Sequence, residues 1–220
     1  MDLIKEAVRA RHSVRSFTDE PIAPDTEAAL RVEMEACNTA SGLHIQLITN
    51  EGAAFGSMMA RYGKFSGCKN YFAIVGPKGS DEACGYYGER LVLLAQSLGL
   101  NSCWVAMTYD KRKVPIQCAG GEQLIIVIAL GYGTTQGTAH KSKDMARLCR
   151  TTGEVPGWFR SGMEAALLAP TAINQQKFLI TLSGKTVSAK ALLGPHSKID
   201  LGIVKYHFEL GAGVDQFEWA

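Results

Sequence analysis

The sequence predicts an α+β fold, and three observations lead there. Apolar residues recur at helical spacing in some segments and gather into short β-rich runs in others, the two kinds interspersed along the chain. One continuous apolar run, residues 123–130 (QLIIVIAL), is ended by Gly131 and reads as a central strand covered on both faces. The second part of the chain also repeats the pattern of the first.

Taken in order, Leu3, Ile4, Ala7 and Val8 recur with helical spacing, so residues 2–11 read as an amphipathic helix that stops before 13–17. Pro24 and Asp25 announce a second helix, running to about Cys37. A strand is expected around 44–49, a helix near 53–61 and a β-rich run at 71–75. A long apolar helix over 86–98 is stopped by Gly99, and after the central run residues 133–143 form a polar, glycine-containing loop.

The repeat is a matter of matched segments. Met34-Glu35-Ala36 leads through a loop to Leu47-Ile48-Thr49, and Met163-Glu164-Ala165 leads through a longer loop to Leu179-Ile180-Thr181. Gly88 and Gly99 bracket one apolar helix, while Gly202 and Gly213 bracket another with the same separation. Two copies at so long a period point to a duplicated half-domain with pseudo-twofold packing rather than to a solenoid.

Composition narrows the function. A chain of 220 residues with 46% hydrophobic content can bury a substantial core, which excludes disordered and fibrous classes. With 23 basic against 21 acidic residues and a net charge of +2, nothing calls for nucleic acid or an anionic membrane as partner, so small-molecule chemistry is the default. The amino terminus has no apolar run followed by a small-residue cleavage site, and the apolar stretch 124–130 is too short to span a bilayer; a cytoplasmic location is expected. The 6 cysteines include no C-x-x-C pair, so free thiols, and neither a metal site nor a dithiol motif, are expected.

Two constellations carry chemistry. Arg11, Ser13 and Arg15 lie two apart in RHSVR, so in an extended segment all three side chains share a face. Two guanidiniums and a hydroxyl suit a phosphate monoester, since arginine donates in bidentate fashion to its oxygens; the competing reading is a pair of solvated or helix-capping arginines. The second constellation, Ala169 to Gln176 (APTAINQQ), closes the Met163 helix, with Pro170 expected to force its end. Its Thr171, Asn174 and Gln175 both donate and accept, as the edge of a planar heterocycle with alternating C=O and N–H requires, although an ordinary polar loop could carry the same residues.

Together these segments resemble the nitroreductase family of flavoproteins. RHSVRSF matches that family's R-x-S-x-R-x-F at Arg11, Ser13, Arg15 and Phe17. APTAINQQKF resembles A-P-S-x-x-N-x-Q-P-W-x-F at Ala169, Pro170, Asn174 and Phe178, with Thr171 for Ser, Gln176 as the counterpart of the family's Gln, and Lys177 in place of its Pro. The segment GYYGERLVLLAQSLGLNSCWV looks like the family's dimer-core helix and the loop after it, and IALGYG like its core strand and turn.

The resemblance implies a nitroreductase-like fold, a central mixed sheet flanked by helices, binding FMN. Arg11, Ser13 and Arg15 would hold the phosphate; Trp104, Val105 and Ala106 would line the isoalloxazine ring; Pro170, Thr171, Ala172, Asn174 and Gln175 would meet its edge; and Lys141 and Lys143 would lie near the ribityl phosphate and pyrimidine, unless they only form a solvated loop. NADH or NADPH would be the electron donor and a nitroaromatic, quinone or enone the acceptor, with no catalytic side chain beyond the flavin itself.

In ordinary members the A-P-S-x-x-N motif closely follows the arginine motif, and each flavin sits between two subunits. Here that place reads CNTASGLH from Cys37, without the Pro or a well-placed Asn, while the intact copy stands in the second part, which has no R-x-S-x-R. Complementary loss of this kind implies a single-chain pseudo-dimer of halves 1–152 and 153–220, monomeric and with one composite flavin site. A Rossmann dehydrogenase is a poor alternative: Gly131, Gly133 and Gly137 are misspaced and no apolar helix follows. A non-catalytic FMN storage or sensing protein would share every binding residue.

Overall fold

The computed structural model describes residues 3–220, so the expected helical start at residue 2 lies outside the described residues. The chain has the expected α+β architecture, and it divides into two compact units that interleave along the sequence. The first comprises residues 10–80 and 91–138; the second comprises the chain up to Arg9, Asp81–Arg90 and Ala139–Ala220.

The first unit is organised by the apolar run. Strands β1 (His44–Ile48), β2 (Asn70–Pro77), β3 (Asn101–Val105) and β4 (Glu122–Gly131) form an antiparallel sheet in the order β1-β2-β4-β3. Strand β4 thus has a neighbour on each side, and Val127 through Leu130 are wholly buried, as a strand covered on both faces requires. Tyr71, Ala73 and Val75 of β2 share one core with Val127 and Ala129. The register slips between Ile74 and Val75, so that Ile74 faces Ile126 and Val75 faces Leu124. Helix α2 (Pro24–Ser41) starts with proline in its first turn and ends on Gly42, whose φ of 71° only glycine adopts without strain.

The second unit holds helix α1 (Leu3–Ala10) up to Arg9, the first part of α4 (Asp81–Ser97), α5 (Gly157–Ala166) and α6 (Ser197–Ala212). Its sheet, β5 (Cys149–Thr152), β6 (Phe178–Ser183), β7 (Thr186–Ala191) and β8 (Glu218–Trp219), is mixed: β5 runs parallel to β6, β6 antiparallel to β7, and β7 parallel to β8. Helices α4 and α6 cross at two glycines, because a Cβ on Gly202 would collide with the Glu82 carbonyl and one on Gly85 with the Ile199 carbonyl. Close by, His207 and Glu89 form a fully buried pair: Nε2 lies 2.8 Å from the carboxylate and Nδ1 3.1 Å from the Ala165 carbonyl, linking α4, α5 and α6.

Three expected boundaries differ. The helix expected near 53–61 is the five-residue α3 (Met58–Tyr62), because Ser57, not Gly52 or Ala53, supplies the cap that accepts from the Ala60 N–H. The helix read from Tyr86 begins at Asp81: its polar first turn, Asp81 and Glu82, suits a helix N-terminus but carries no apolar period. Helix α5 ends at Ala166, ahead of Pro170, as Leu168 and Ala169 donate to the Ala165 and Ala166 carbonyls in a tight i→i−3 turn.

Candidate functional site

In the first unit the RHSVR segment is extended along β3. Val14 N–H donates to the Ser102 carbonyl at 3.0 Å, Ser66 N–H to Arg15 O at 3.0 Å, and Phe17 N–H to Ser66 O at 2.9 Å. The period-two alternation follows: Val14 enters the core at 2% exposure, while Ser13 and Arg15 face outward. Arg11 is buried at 3% exposure, and the Arg15 guanidinium lies 5.9 Å from the Phe65 ring centre.

One buried thiol lies near all three groups. Burial pushes the Cys103 thiol of β3 up, and what opposes that rise is the Arg15 charge, a hydrogen bond with Ser13 and the Arg11 charge. Arg11, Ser13 and Arg15 thus all lie near this thiol, which is itself buried in the core of the unit. The loop after β4 closes against the segment, as a Cβ on Gly137 would lie 2.8 Å from His12 Cβ and 3.0 Å from the Ser13 carbonyl. Trp104, Val105 and Ala106 follow Cys103 along the chain; Trp104 pairs with Ile128 and Val105 with Val127.

In the second unit the APTAINQQ segment is a loop with an uncommon backbone. Ile173, Asn174 and Gln176 all have positive φ, at 47°, 54° and 46°. Gln176, 2% exposed, is its hub: its Nε2 donates to the Lys141 carbonyl at 3.0 Å and to Asn174 Oδ1 at 2.8 Å, and its Oε1 accepts from Lys143 N–H at 2.7 Å. Lys143 Nζ donates to the carbonyls of Gln175 at 2.7 Å and Gln176 at 3.3 Å, whereas the Lys141 side chain is exposed. Asn174 Nδ2 donates to the Lys141 carbonyl at 3.0 Å. Thr171 Oγ1 accepts from Gln176 N–H, also at 3.0 Å.

Gln175 faces its own support, its Nε2 donating to the Pro195 carbonyl and to Asp200, each at 2.7 Å. Asp200 also accepts from Ala172 N–H at 2.9 Å, and burial raises its pKa above the ordinary carboxylate value. Sequence reasoning missed Asp200 and Cys103. The signal for Asp200 was available: it is an acidic residue inside the apolar run Ile199, Leu201, Ile203.

The structure thus brings Arg11, Ser13, Arg15, Trp104, Val105 and Ala106 together in one unit, and Lys141, Lys143, Pro170, Thr171, Ala172, Asn174 and Gln175 in the other. At the first-half position where the second motif is absent, Asn38 ties α2 to β1: its Nδ2 donates to the Ile45 carbonyl at 3.0 Å and its Oδ1 accepts from Ile45 N–H at 2.7 Å. Among the described residues no group of three or more His, Cys, Asp or Glu could hold a metal ion, and no helix is long and apolar enough to cross a membrane.

Residues 3–212 match the family model described as "Putative TM nitroreductase", and the chain belongs to that family. Among solved structures it is similar to a putative nitroreductase of Thermotoga maritima, at 20% identity and a TM-score of 0.66 over 96% of this chain and 83% of that one. It is also similar to a putative nitroreductase of Desulfovibrio desulfuricans solved in complex with FMN, at 20% identity and a TM-score of 0.52 over 67% of this chain and 95% of that one. A putative NADH dehydrogenase/NAD(P)H nitroreductase of Parabacteroides distasonis aligns at 20% identity and a TM-score of 0.51, over 67% of this chain and 97% of that one. No curated protein matches the sequence.

Proposed function

We propose that the chain is an FMN-dependent NAD(P)H oxidoreductase that reduces a small oxidised acceptor, and that it carries one flavin site on a single polypeptide. The observation that carries this reading is that Arg11, Ser13 and Arg15 stand on one short segment bridged to β3 at Ser13 and Ser102, all three near Cys103. A phosphate monoester dianion suits that donor set, because two guanidiniums and a hydroxyl can satisfy several of its oxygens at once. Membership of the nitroreductase family supports the flavin, as does the FMN complex of the Desulfovibrio relative.

Bound FMN would supply the two-electron chemistry, taking hydride from the nicotinamide and passing it to the acceptor. The chain's own residues bind and orient. Arg11, Ser13 and Arg15 would hold the phosphate, Trp104 to Ala106 would line the ring, and Pro170, Thr171, Ala172, Asn174 and Gln175 would meet its edge. Because Lys143 Nζ is already committed to two carbonyls, the exposed Lys141 is the cation we assign to the pyrimidine side, where reduced flavin is negative. In this reading residues 1–152 and 153–220 act as the two subunits of an ordinary member, so the chain works as a cytoplasmic monomer. The use of Asn38 in joining α2 to β1 supports the loss of a second site.

The test is to titrate the purified chain with FMN and with riboflavin. About one FMN per chain should bind to a monomer in sedimentation, well ahead of riboflavin. Arg15→Ala should weaken FMN by about ten- to a hundred-fold, from a charge-assisted contact of about 1.5–3 kcal/mol, and leave riboflavin unchanged. NADH or NADPH should then bleach the flavin anaerobically, and a quinone or nitroarene restore it. Equal affinity for the two flavins removes the phosphate assignment, two FMN per chain removes the pseudo-dimer, and flavin that neither nucleotide reduces makes this a storage or sensing protein.

A further inference from the structure

We propose that Asp200, on α6, is the positioning residue that holds the loop 170–176 in its ligand-binding shape. The proposal rests on the reading of that loop as the ring side of a flavin site.

The loop does not hold this shape unaided. Left-handed backbone is disfavoured for any residue with a Cβ, and most of all for a β-branched one. Ile173 nevertheless has φ 47° and ψ 27°, and at 89% exposure it gains no burial in exchange. Asn174 and Gln176 share the left-handed region. Three such residues within four positions persist only where surrounding contacts over-determine them.

Lys141, Lys143 and Pro195 supply some of those contacts at residues 174–176, and Asp200 supplies two more that reach the strained turn itself. One carboxylate oxygen accepts from Ala172 N–H at 2.9 Å and the other from Gln175 Nε2 at 2.7 Å. The two anchor points bracket Ile173 and Asn174, the first two strained residues. The loop's own bonds, Asn174 N–H to the Thr171 carbonyl and Gln175 N–H to the Ala172 carbonyl, each 2.9 Å, close the turn, and of the outside ties only Asp200 holds the Ala172 side of it.

Asp200 lies in the first turn of α6, where an acidic residue suits the helix N-terminus, but that alone does not account for its burial. It is 3% exposed among Ile199, Leu201 and Ile203, and among the described residues no lysine or arginine forms an ion pair with it. An apolar side chain there would avoid the desolvation of a carboxylate. The pair of donors from the loop offsets part of that desolvation. The consequence is functional geometry: Asn174 is presented with one amide proton spent on Lys141 O, leaving the other, together with the Thr171 hydroxyl, for a ligand edge.

The experiment compares wild type, Asp200→Ala and Asp200→Asn, the last keeping volume and one acceptor should the alanine variant not fold. In flavin-free protein, amide exchange at Ala172 and Asn174 should quicken at least about ten-fold in the variants while β4 amides keep their rates. FMN and riboflavin affinities should both fall by about ten- to a hundred-fold, with the ratio between them unchanged, since the phosphate end is untouched. Unchanged exchange, unchanged flavin affinity alongside a lowered melting temperature, or a loss confined to FMN would each overturn the assignment. If wild type binds no flavin at all, the functional reading fails, and the exchange measurement still decides whether Asp200 holds the loop.

Discussion

Gly202→Ala should destabilise the protein by about 2–4 kcal/mol, even though alanine is the better helix former by about 1 kcal/mol. A Cβ at this position of α6 would overlap the Glu82 carbonyl oxygen and lie 2.6 Å from Tyr86 N, well inside the 3.4 Å at which ordinary contact begins. Backbone atoms cannot rotate away as a side chain does, so the two helices would have to part by roughly an ångström, an overpacking that costs about 1–3 kcal/mol or more. The same separation is held by Tyr86 to Glu209 at 2.5 Å, Lys205 to Glu82 at 2.7 Å and His207 to Glu89 at 2.8 Å, and stretching the buried member adds to the cost. Urea unfolding would measure this as a lowered midpoint. Gly157→Ala, at the start of α5 where a Cβ meets nothing within 4 Å, serves as the control and should be neutral or stabilising. Gly85→Ala/Gly202→Ala should cost less than the sum of the two single changes, because one displacement of the helices relieves both overlaps. A Gly202→Ala protein as stable as wild type would show that α4 and α6 do not meet at these glycines.

Other outcomes follow from the same geometry. Glu89→Ala should cost about 3–5 kcal/mol by equilibrium unfolding, since it strands His207 in a fully buried place. Of the six cysteines, Cys118 should react first with a disulfide reagent in native protein and half-exposed Cys149 more slowly, while Cys37, Cys68, Cys84 and Cys103 react only on unfolding; burial pushes the Cys68 thiol up to about 12. The pH dependence of Asp200 has a definite sign. Its folded pKa is raised above 3.8 by burial, so its contribution to stability is fully present below that value and is lost as pH rises through the folded pKa. The difference in unfolding free energy between wild type and Asp200→Asn should therefore decline across that acid window, and a flat difference would count against a raised pKa.

What the sequence determined by itself was local and strongly patterned. The run 123–130 announced β4 because a strand buried on both faces needs an unbroken apolar string. Ser13 and Arg15 announced a shared outward face opposite Val14 because the period of an extended chain is two, although Arg11 is buried, and Gly99 announced the end of α4 because a left-handed φ of 84° calls for glycine. Tertiary structure decided the rest. Strands β3, β5 and β7 carry Asn, Ser, Thr or Arg, and β8 is only Glu218–Trp219, so only their partners make them strands. Pro170 stood out in the sequence as the stop for α5, yet a tight turn ends the helix at Ala166. Gln175 and Lys143 looked equally available to a ligand in the sequence, and only the fold reveals that both are engaged within the loop's own framework. Asp200 stands 24 residues beyond Gln176. Its role exists because α6 carries its buried carboxylate back beneath a loop whose backbone cannot hold itself, and a pairing over that distance leaves no period in the chain to read.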